Sequence, residues 1–577
     1  MINLKRIAIV LLLLLAACAQ APQRNAGQTS NLDSGAEDLS EQTELKLPEL
    51  ELSSQLLYQF LLGDVALQRG QMELATLTYI ELAKSTRDPR VVRQAAHMAF
   101  ETRQMDKVLE AASLWQELEP KSLRAKRMLA GMLLNSGKLD EARPHLIDLM
   151  TADPKNTADS FMQVYSMLAR YPDKAAAYDL MHELAAPYPR VAEAHWALAQ
   201  LAEASGKHGI AIEESRQASL LRPEWDRAVL LQVQLQQREM PQRALTLLQK
   251  YLAAYPDNKD IRLIYARMLT EQKQHSEART QFQVLLDANP GNADLAFAVA
   301  LLSLEVGELD RAEQELRRAL DNGKKDENAV YYYLGQLSEA KHADEEALRS
   351  YGKVQGGEYA FSAHLRTAYL LNKAGQPENA LLQLRQATAQ NEQQRAQLVL
   401  IEAKILRDSK KLEAAYKVLQ QGLKTLPDHP DLLYEMGMLA DQIGQHETFE
   451  QMMRKLIHIQ PDYAHGYNAL GYSLLDRNER LAEGMQLVER AYLLAPDDAA
   501  IIDSVGWGHY RLGNLPKSVE FLRRAYLANP DPEIAAHLGE VLWMQGEKEE
   551  AKKIWQQAMQ AHSDNTILMN VVKKFLP

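Results

Sequence analysis

Cysteine is almost absent from this sequence, whose 577 residues include a single one, Cys18. An internal disulfide bond and a C-x-x-C redox pair each need two cysteines, and a cysteine-ligated structural zinc site needs at least as many. All three are therefore excluded. Because Cys18 lies near the amino terminus, apart from the body of the chain, its role belongs to that end of the molecule.

Dense runs of lysine and arginine are lacking as well, and the formal net charge is −12. Proteins that grip nucleic acid by its phosphates carry a basic stripe or patch. The charge therefore disfavours nucleic acid as a partner. Hydrophobic residues make up 46% of the chain and charged residues 25%, which provides enough apolar surface for a folded body and excludes wholesale disorder.

Motifs of hydrolytic enzymes are also missing, because neither H-E-x-x-H nor G-x-S-x-G occurs in the sequence. The nearest match to a phosphate-binding loop begins at Gly131. Five residues rather than four separate Gly131 from Gly137, and Leu139 stands where a serine or threonine would follow Lys138. We therefore predict that the chain is not an enzyme and has neither catalytic residues nor a cofactor.

The first seventeen residues have the pattern of a signal peptide. Lys5 and Arg6 precede an apolar core at residues 7–15, which is much shorter than the roughly 20 residues of a membrane-spanning helix. The segment ends in Leu15-Ala16-Ala17-Cys18, which resembles the lipobox of bacterial lipoproteins. An ordinary secretory signal with an incidental cysteine is the alternative interpretation.

The lipobox resemblance implies that diacylglycerol is attached to the sulfur of Cys18, that the chain is cleaved before it, and that the new amino terminus is acylated. Several acyl chains hold a protein to a membrane far more firmly than one. Ala19 follows the cysteine, and the absence of aspartate there resembles lipoproteins sorted to the outer membrane. Residues 18–50 are polar and acidic, which predicts a flexible tether that reaches on the order of 30 Å into the periplasm.

Prolines recur through the body of the chain at a spacing of about 34 residues. Each follows an apolar helical pattern, and proline marks the boundary because it cannot continue a helix. The regularly spaced prolines are Pro120, Pro154, Pro189, Pro223, Pro256 and Pro290, followed by Pro427, Pro461, Pro496 and Pro530.

Between the prolines, a pair of small or apolar residues is followed by glycine and then by alanine. One unit contains Leu198-Ala199, Gly206 and Ala211, and another contains Leu538-Gly539, Gly546 and Ala551. This pattern is similar to the tetratricopeptide repeat (TPR), in which two antiparallel helices pack closely across a tight turn. We predict about fifteen such repeats over residues 51–563, with degenerate units near 158–190, 224–256 and 321–360, and a capping helix at residues 564–577.

The TPR resemblance implies an all-α solenoid, a right-handed superhelix whose concave groove is the binding surface and is formed mainly by the first helix of each repeat. No sheet is expected, because the apolar residues follow a period of 3.6 rather than alternating. Counting positions on the first helices gives the candidate partner-binding residues: Tyr434, Met438, Asn468, Tyr472, Asp503, Trp507, Tyr510, Arg511 and Trp543. Aromatic, Met and Arg side chains are enriched in interface cores, but several could instead fill joints between repeats.

Histidines and the run Tyr331 to Tyr333 could suggest a metal or a stacking ligand. The histidines are scattered, so we predict packing or groove roles rather than metal ligation for His195, His364, His465 and His509. Consecutive residues on a helix point in different directions, so the three tyrosines are predicted to pack rather than to form a platform.

The whole layout resembles the outer-membrane TPR lipoproteins that partner periplasmic carboxyl-terminal-processing proteases. The resemblance implies a non-catalytic adaptor that binds and activates such a protease and delivers peptidoglycan hydrolases to it. A lipoprotein that assembles or pilots a secretin, a pilus or a polysaccharide export complex is the alternative. A glycan-cleaving wall hydrolase is less favoured, because helical repeats do not usually form a paired-carboxylate cleft. Self-association is left open.

Overall fold

A computed structural model describes residues 47–563 and 565–576. The predicted signal peptide, Cys18 and most of the predicted tether lie outside the described residues. Every regular element within those two ranges is an α-helix, which confirms the predicted all-α fold. None of the helices described combines the length and the apolar character needed to cross a bilayer. The described residues divide into two compact units, with the boundary between Gly323 and Lys324.

The helices of the first unit follow one another in tandem pairs. Their bounds are α1 Ser54–Gln68, α2 Met72–Thr86, α3 Pro89–Glu101, α4 Met105–Leu118, α5 Leu123–Asn135, α6 Leu139–Thr151, α7 Thr157–Leu168, α8 Lys174–Ala185, α9 Ala192–Ala204, α10 His208–Leu221, α11 Asp226–Gln236, α12 Pro241–Ala254, α13 Lys259–Glu271, α14 His275–Ala288, α15 Ala293–Glu305 and α16 Leu309–Asp321.

The second unit continues the same arrangement and ends in an unpaired helix. Its helices are α17 Glu327–Ala340, α18 Asp344–Tyr351, α19 Ala360–Lys373, α20 Pro377–Gln386, α21 Glu392–Asp408, α22 Leu412–Thr425, α23 Pro430–Gln442, α24 His446–Ile459, α25 Ala464–Asp476, α26 Leu481–Leu494, α27 Ala499–Arg511, α28 Leu515–Ala528, α29 Pro532–Gln545, α30 Lys548–Ala561 and α31 Thr566–Phe575.

A residue in the left-handed conformation ends the first helix of many pairs. Gly137, Gly206 and Gly513 have φ values of 75°, 79° and 79°, which a residue without Cβ adopts at no steric cost. Lys410 and Asn478 occupy the same place in their repeats with φ near 60°, so they accept strain that glycine avoids. The predicted turn is thus kept even where the predicted glycine is missing.

A glycine at one fixed position of the first helix lets the second helix approach closely. A Cβ added to Gly471 in α25 would lie 2.8 Å from the carbonyl oxygen of Gly484 and 2.8 Å from Cγ1 of Val488, both in α26. At Gly506, one repeat later, an added Cβ would lie 2.7 Å from the buried Leu522 side chain. The absence of a side chain therefore sets the distance between the paired helices.

The last pair is covered by α31, which contacts both α29 and α30. The Asn565 side chain accepts a hydrogen bond of 2.9 Å from the backbone N–H of Leu568 and so caps the helix. Leu568 and Val572 are buried, and the Phe575 ring lies 5.7 Å from the fully buried Trp555 ring of α30. Lys573 and Lys574 are exposed.

The substitution Gly471→Ala tests the close approach of α25 and α26. We expect it to destabilise the protein by about 1–3 kcal/mol, because the added methyl group meets a backbone carbonyl that cannot move away. Urea unfolding followed by circular dichroism measures the change. Gly131→Ala is the matched control, since a Cβ on this helical glycine meets no atom within 4 Å. An equal loss of stability in both variants would contradict the explanation.

Candidate protein-binding site

The predicted groove residues lie on four first helices of the second unit. Tyr434 and Met438 are on α23, Asn468 and Tyr472 on α25, and Trp543 on α29, whereas α27 carries Asp503, Trp507, Tyr510 and Arg511. The structure brings Tyr472, Asp503 and Trp507 together around a residue that the sequence analysis did not select, His537 of α29.

His537 connects three first helices. Its Nδ1 lies 2.9 Å and 3.1 Å from the two carboxylate oxygens of Asp503 in α27, and its Nε2 lies 3.3 Å from the hydroxyl oxygen of Tyr472 in α25. The imidazole also stacks on Trp507, with ring centroids 4.1 Å apart and planes inclined by 23°. We call these four residues the His537 cluster.

Burial and charge act on the His537 cluster in opposite directions. Burial lowers the pKa of His537, but the charge and hydrogen bond of Asp503, together with Asp476 and Glu533, outweigh it and raise the pKa above 6.5. Burial, with the charges of Asp476, Asp503 and Glu533, also raises the pKa of Tyr472 strongly. The nearby carboxylates therefore give the cluster a negative electrostatic potential.

Trp507 has little surface left for a partner. Only 5% of the residue is exposed, and its ring is enclosed by His537, by Tyr510 at 5.0 Å and by the guanidinium of Arg511 at 5.9 Å. Trp543 is half-buried between Trp555 and Phe575, with both ring centroids 5.9 Å away. Both tryptophans therefore contribute to packing between helices, which was the alternative to partner binding that the sequence left open for them.

A hydrogen bond to Glu540 holds Tyr510 in place next to the His537 cluster. Its hydroxyl donates to the buried carboxylate of Glu540 at 3.2 Å, and the ammonium of Lys574 in α31 lies 3.0 Å from the same oxygen. Burial, followed by the charge of Glu540, raises the pKa of Tyr510. Tyr510 thus joins the face of the first helices to the terminal helix.

Tyr434 and Met438 lie closer to solvent than the His537 cluster. Met438 is 37% exposed, and the half-buried Tyr434 ring lies 5.7 Å from the Tyr463 ring that precedes α25. Asn468 of α25 has a buried Oδ1 without a hydrogen-bond partner among the described residues. A flexible thioether and an aromatic ring on α23 and an amide on the next first helix thus keep unused surface or hydrogen-bonding capacity within the described chain, as at adaptable protein-binding surfaces.

The four histidines singled out in the sequence contact neighbouring side chains or backbone. His195 has Glu214 at 2.6 Å and the carbonyl oxygen of Pro189 at 3.1 Å, and hydrogen bonding to Glu214 raises its pKa. His364 lies 3.1 Å from Gln383, His465 lies 3.9 Å from Asp498, and the His509 ring lies 5.6 Å from Phe521. Within residues 47–563 and 565–576, no three His, Cys, Asp or Glu side chains are grouped as a metal site requires.

Two of the three tyrosines of α17, Tyr332 and Tyr333, take part in an aromatic cluster rather than a flat platform. Tyr332 and Tyr333 lie 5.0 Å and 5.7 Å from the Tyr359 ring, and Tyr333 is buried. The ammonium of Lys353 lies over the Tyr331 ring, 4.9 Å from the ring centre. The pairs are tilted or edge-on, as in ordinary aromatic packing.

The class of protein that this fold and face define is a TPR protein. Family models described as tetratricopeptide repeat match residues 235–290, 269–337 and 506–565. The chain is 31% identical, over 506 residues, to the TPR repeat-containing protein PA4667 of Pseudomonas aeruginosa, and the match covers 87% of this chain and 85% of that protein. The chain therefore belongs to the family of that TPR repeat-containing protein.

Solved structures with similar repeats include a thermophilic TPR protein of Thermus thermophilus, TTC0263, and the Cut9–Hcn1 hetero-tetramer of APC/C. The first is 22% identical, has a TM-score of 0.29 and covers 32% of this chain and 100% of that chain. The second is 15% identical, has a TM-score of 0.31 and covers 85% of this chain and 97% of that chain.

The His537 cluster should make stability depend on pH. Because the folded state raises the pKa of His537, its stabilisation is fully present below the unfolded value of about 6.5 and is lost as pH rises through the folded value. We expect His537→Gln to remove this loss of stability between neutral and alkaline pH, as measured by urea unfolding midpoints followed by tryptophan fluorescence.

His509→Gln is the control for this titration. Burial lowers the pKa of His509, so its contribution has the opposite sign: it favours folding at higher pH and is lost as pH falls. An unchanged pH dependence in the His537 variant would show that the cluster does not titrate in this range.

Proposed function

We propose that this protein is a lipid-anchored, non-catalytic scaffold of the outer membrane, facing the periplasm, which binds other proteins on the first-helix face of its second unit. The observation that carries the proposal is the exposed Met438 and the half-buried Tyr434 on a first helix of the same unit as the closely packed His537 cluster. A flexible contact surface on a rigid support suits protein recognition, because the support does not have to be ordered when the partner binds.

The finer proposal is an adaptor for a periplasmic carboxyl-terminal-processing protease. In this role the chain binds and activates the protease and delivers peptidoglycan hydrolases to it. The layout of lipobox, acidic tether and long TPR array supports this proposal by resemblance. A scaffold that holds enzyme and substrate together replaces a dilute encounter with a high effective concentration, and attachment to the membrane confines the reaction there.

The anchor is testable independently of the partner. We expect Cys18→Ser to remove incorporation of labelled palmitate and to move the chain out of the outer-membrane fraction, because the thiol is the predicted attachment point. Gel fluorography and membrane fractionation measure the two effects. Equal palmitate labelling of the variant and the wild type would reject lipidation at this residue.

The partner is tested by pull-down from detergent-solubilised envelopes, with the wild-type chain as bait and mass spectrometry of the retained proteins. Recovery of a processing protease and wall hydrolases supports the adaptor proposal. Recovery of a secretin or an export channel instead would replace it with the assembly or pilot function.

The binding face is tested with the double substitution Tyr434→Ala and Met438→Ala. We expect the affinity for the recovered partner to fall by about tenfold, equivalent to about 1.4 kcal/mol, because aromatic and thioether contacts dominate such surfaces. Surface plasmon resonance measures the affinity. Leu527→Ala in α28 is the control, since this leucine is 84% exposed and lies on a second helix. Unchanged binding by the double variant would exclude this face.

A further inference from the structure

The first described helix, α1, exposes apolar residues that are buried at the equivalent positions of later repeats. Tyr58 precedes Gly63 by five residues and Val65 follows it by two, and they are 64% and 40% exposed. The residues equivalently placed around Gly539 are Ile534 and Val541, and both are buried. Later repeats cover these positions with the preceding helix pair, which α1 does not have among the described residues.

Four residues of α1 form one continuous apolar stripe, which we call the α1 face: Leu57, Tyr58, Leu61 and Val65. At about 100° per residue they fall within roughly a quarter of the helix circumference. The exposed Leu50 and Leu52 lie just before the helix. Together these six side chains expose apolar area on the order of 600 Å², at the upper end for the largest apolar patch of a monomer.

The preceding part of the chain is poorly suited to cover the α1 face. Between Ala19 and Lys46 the large aliphatic residues are Leu32, Leu39 and Leu45, in a segment otherwise rich in polar and acidic residues. This composition offers few apolar side chains to match the stripe. An apolar surface of another molecule matches it better.

We propose that the α1 face is a homodimer interface, in which two copies of this chain pack α1 against α1 about a twofold axis. The only charged residue of α1 is Asp64, which accepts a hydrogen bond from Tyr79, so two copies meet without strong repulsion between like charges. A standard interface buries about 800 Å² per partner and is roughly 60% apolar, and the α1 face together with Leu50 and Leu52 supplies apolar area of that order.

A contact of α1 with α1 is favoured over a contact of α1 with α31, because the surface of α31 is less apolar. Helix α31 buries Leu568 and Val572 and exposes Lys573 and Lys574 together with Ile567. A twofold contact uses the same patch twice and closes, whereas a head-to-tail contact needs two different complementary surfaces. This inference goes beyond the proposed function and does not depend on which protein the second unit binds.

Cysteine cross-linking in intact cells tests the interface directly. The full-length chain carries either Leu61→Cys or, as a control, Leu527→Cys, an equally apolar and more exposed site in the second unit. The wild type measures any product formed through Cys18. With a short bismaleimide we expect a covalent dimer from the Leu61 variant, at least fivefold more than from the Leu527 variant.

The mass of the purified protein gives a second measurement that needs no cysteine. Light scattering in detergent should give twice the mass of one chain for the wild type and for Leu527→Glu, and the mass of one chain for Leu61→Glu. Equal cross-linking at both sites, a monomeric wild type, or a cross-link from Leu61→Cys to a different protein would each overturn the homodimer. None of these outcomes bears on the pull-down that tests the proposed function.

Discussion

The two helices of a repeat approach closely only where one of them has almost no side chain, and the rest of the array depends on this approach. Gly335, Gly471, Gly506 and Gly539 share one position of the repeat, and each faces the second helix of its own pair. The facing residue fills the space that the glycine leaves, as Tyr351 and Trp555 do. Small and large residues are therefore matched within each pair, which fixes the angle at which the next pair stacks.

Much of the fold could be predicted from the sequence because its signals are local and repeat along the chain. Pro, Gly and Ala report helix ends, turns and close approaches within a few residues of where they act, so the all-α TPR solenoid was predicted and confirmed. Even so, Lys410 and Asn478 show that the turn does not need glycine, because the packing of the helix pair compensates for their backbone strain.

The candidate site was harder to predict, because its contacts join residues far apart in the chain. His537 follows Asp503 by one repeat, a spacing that could have suggested the pair, but its contact with Tyr472 depends on how tightly three first helices curve. The sequence predicted that Trp543 lies on the first helix of a repeat, but its packing against Phe575 depends on the path of α31. Spacing along the chain indicates which face a residue shares, whereas burial depends on the neighbours across that face. Whether these residues bind a partner stays a prediction.

The contact between Tyr472 and His537 has a consequence for how the second unit unfolds. In a simple repeat array each repeat interacts only with its immediate neighbours, so the ends can fray one repeat at a time. Tyr472 and His537 instead join α25 to α29 across the intervening α27. Unfolding of the repeat that contains α29 then breaks contacts with the two preceding repeats at once, which couples all three repeats into a single cooperative unfolding block.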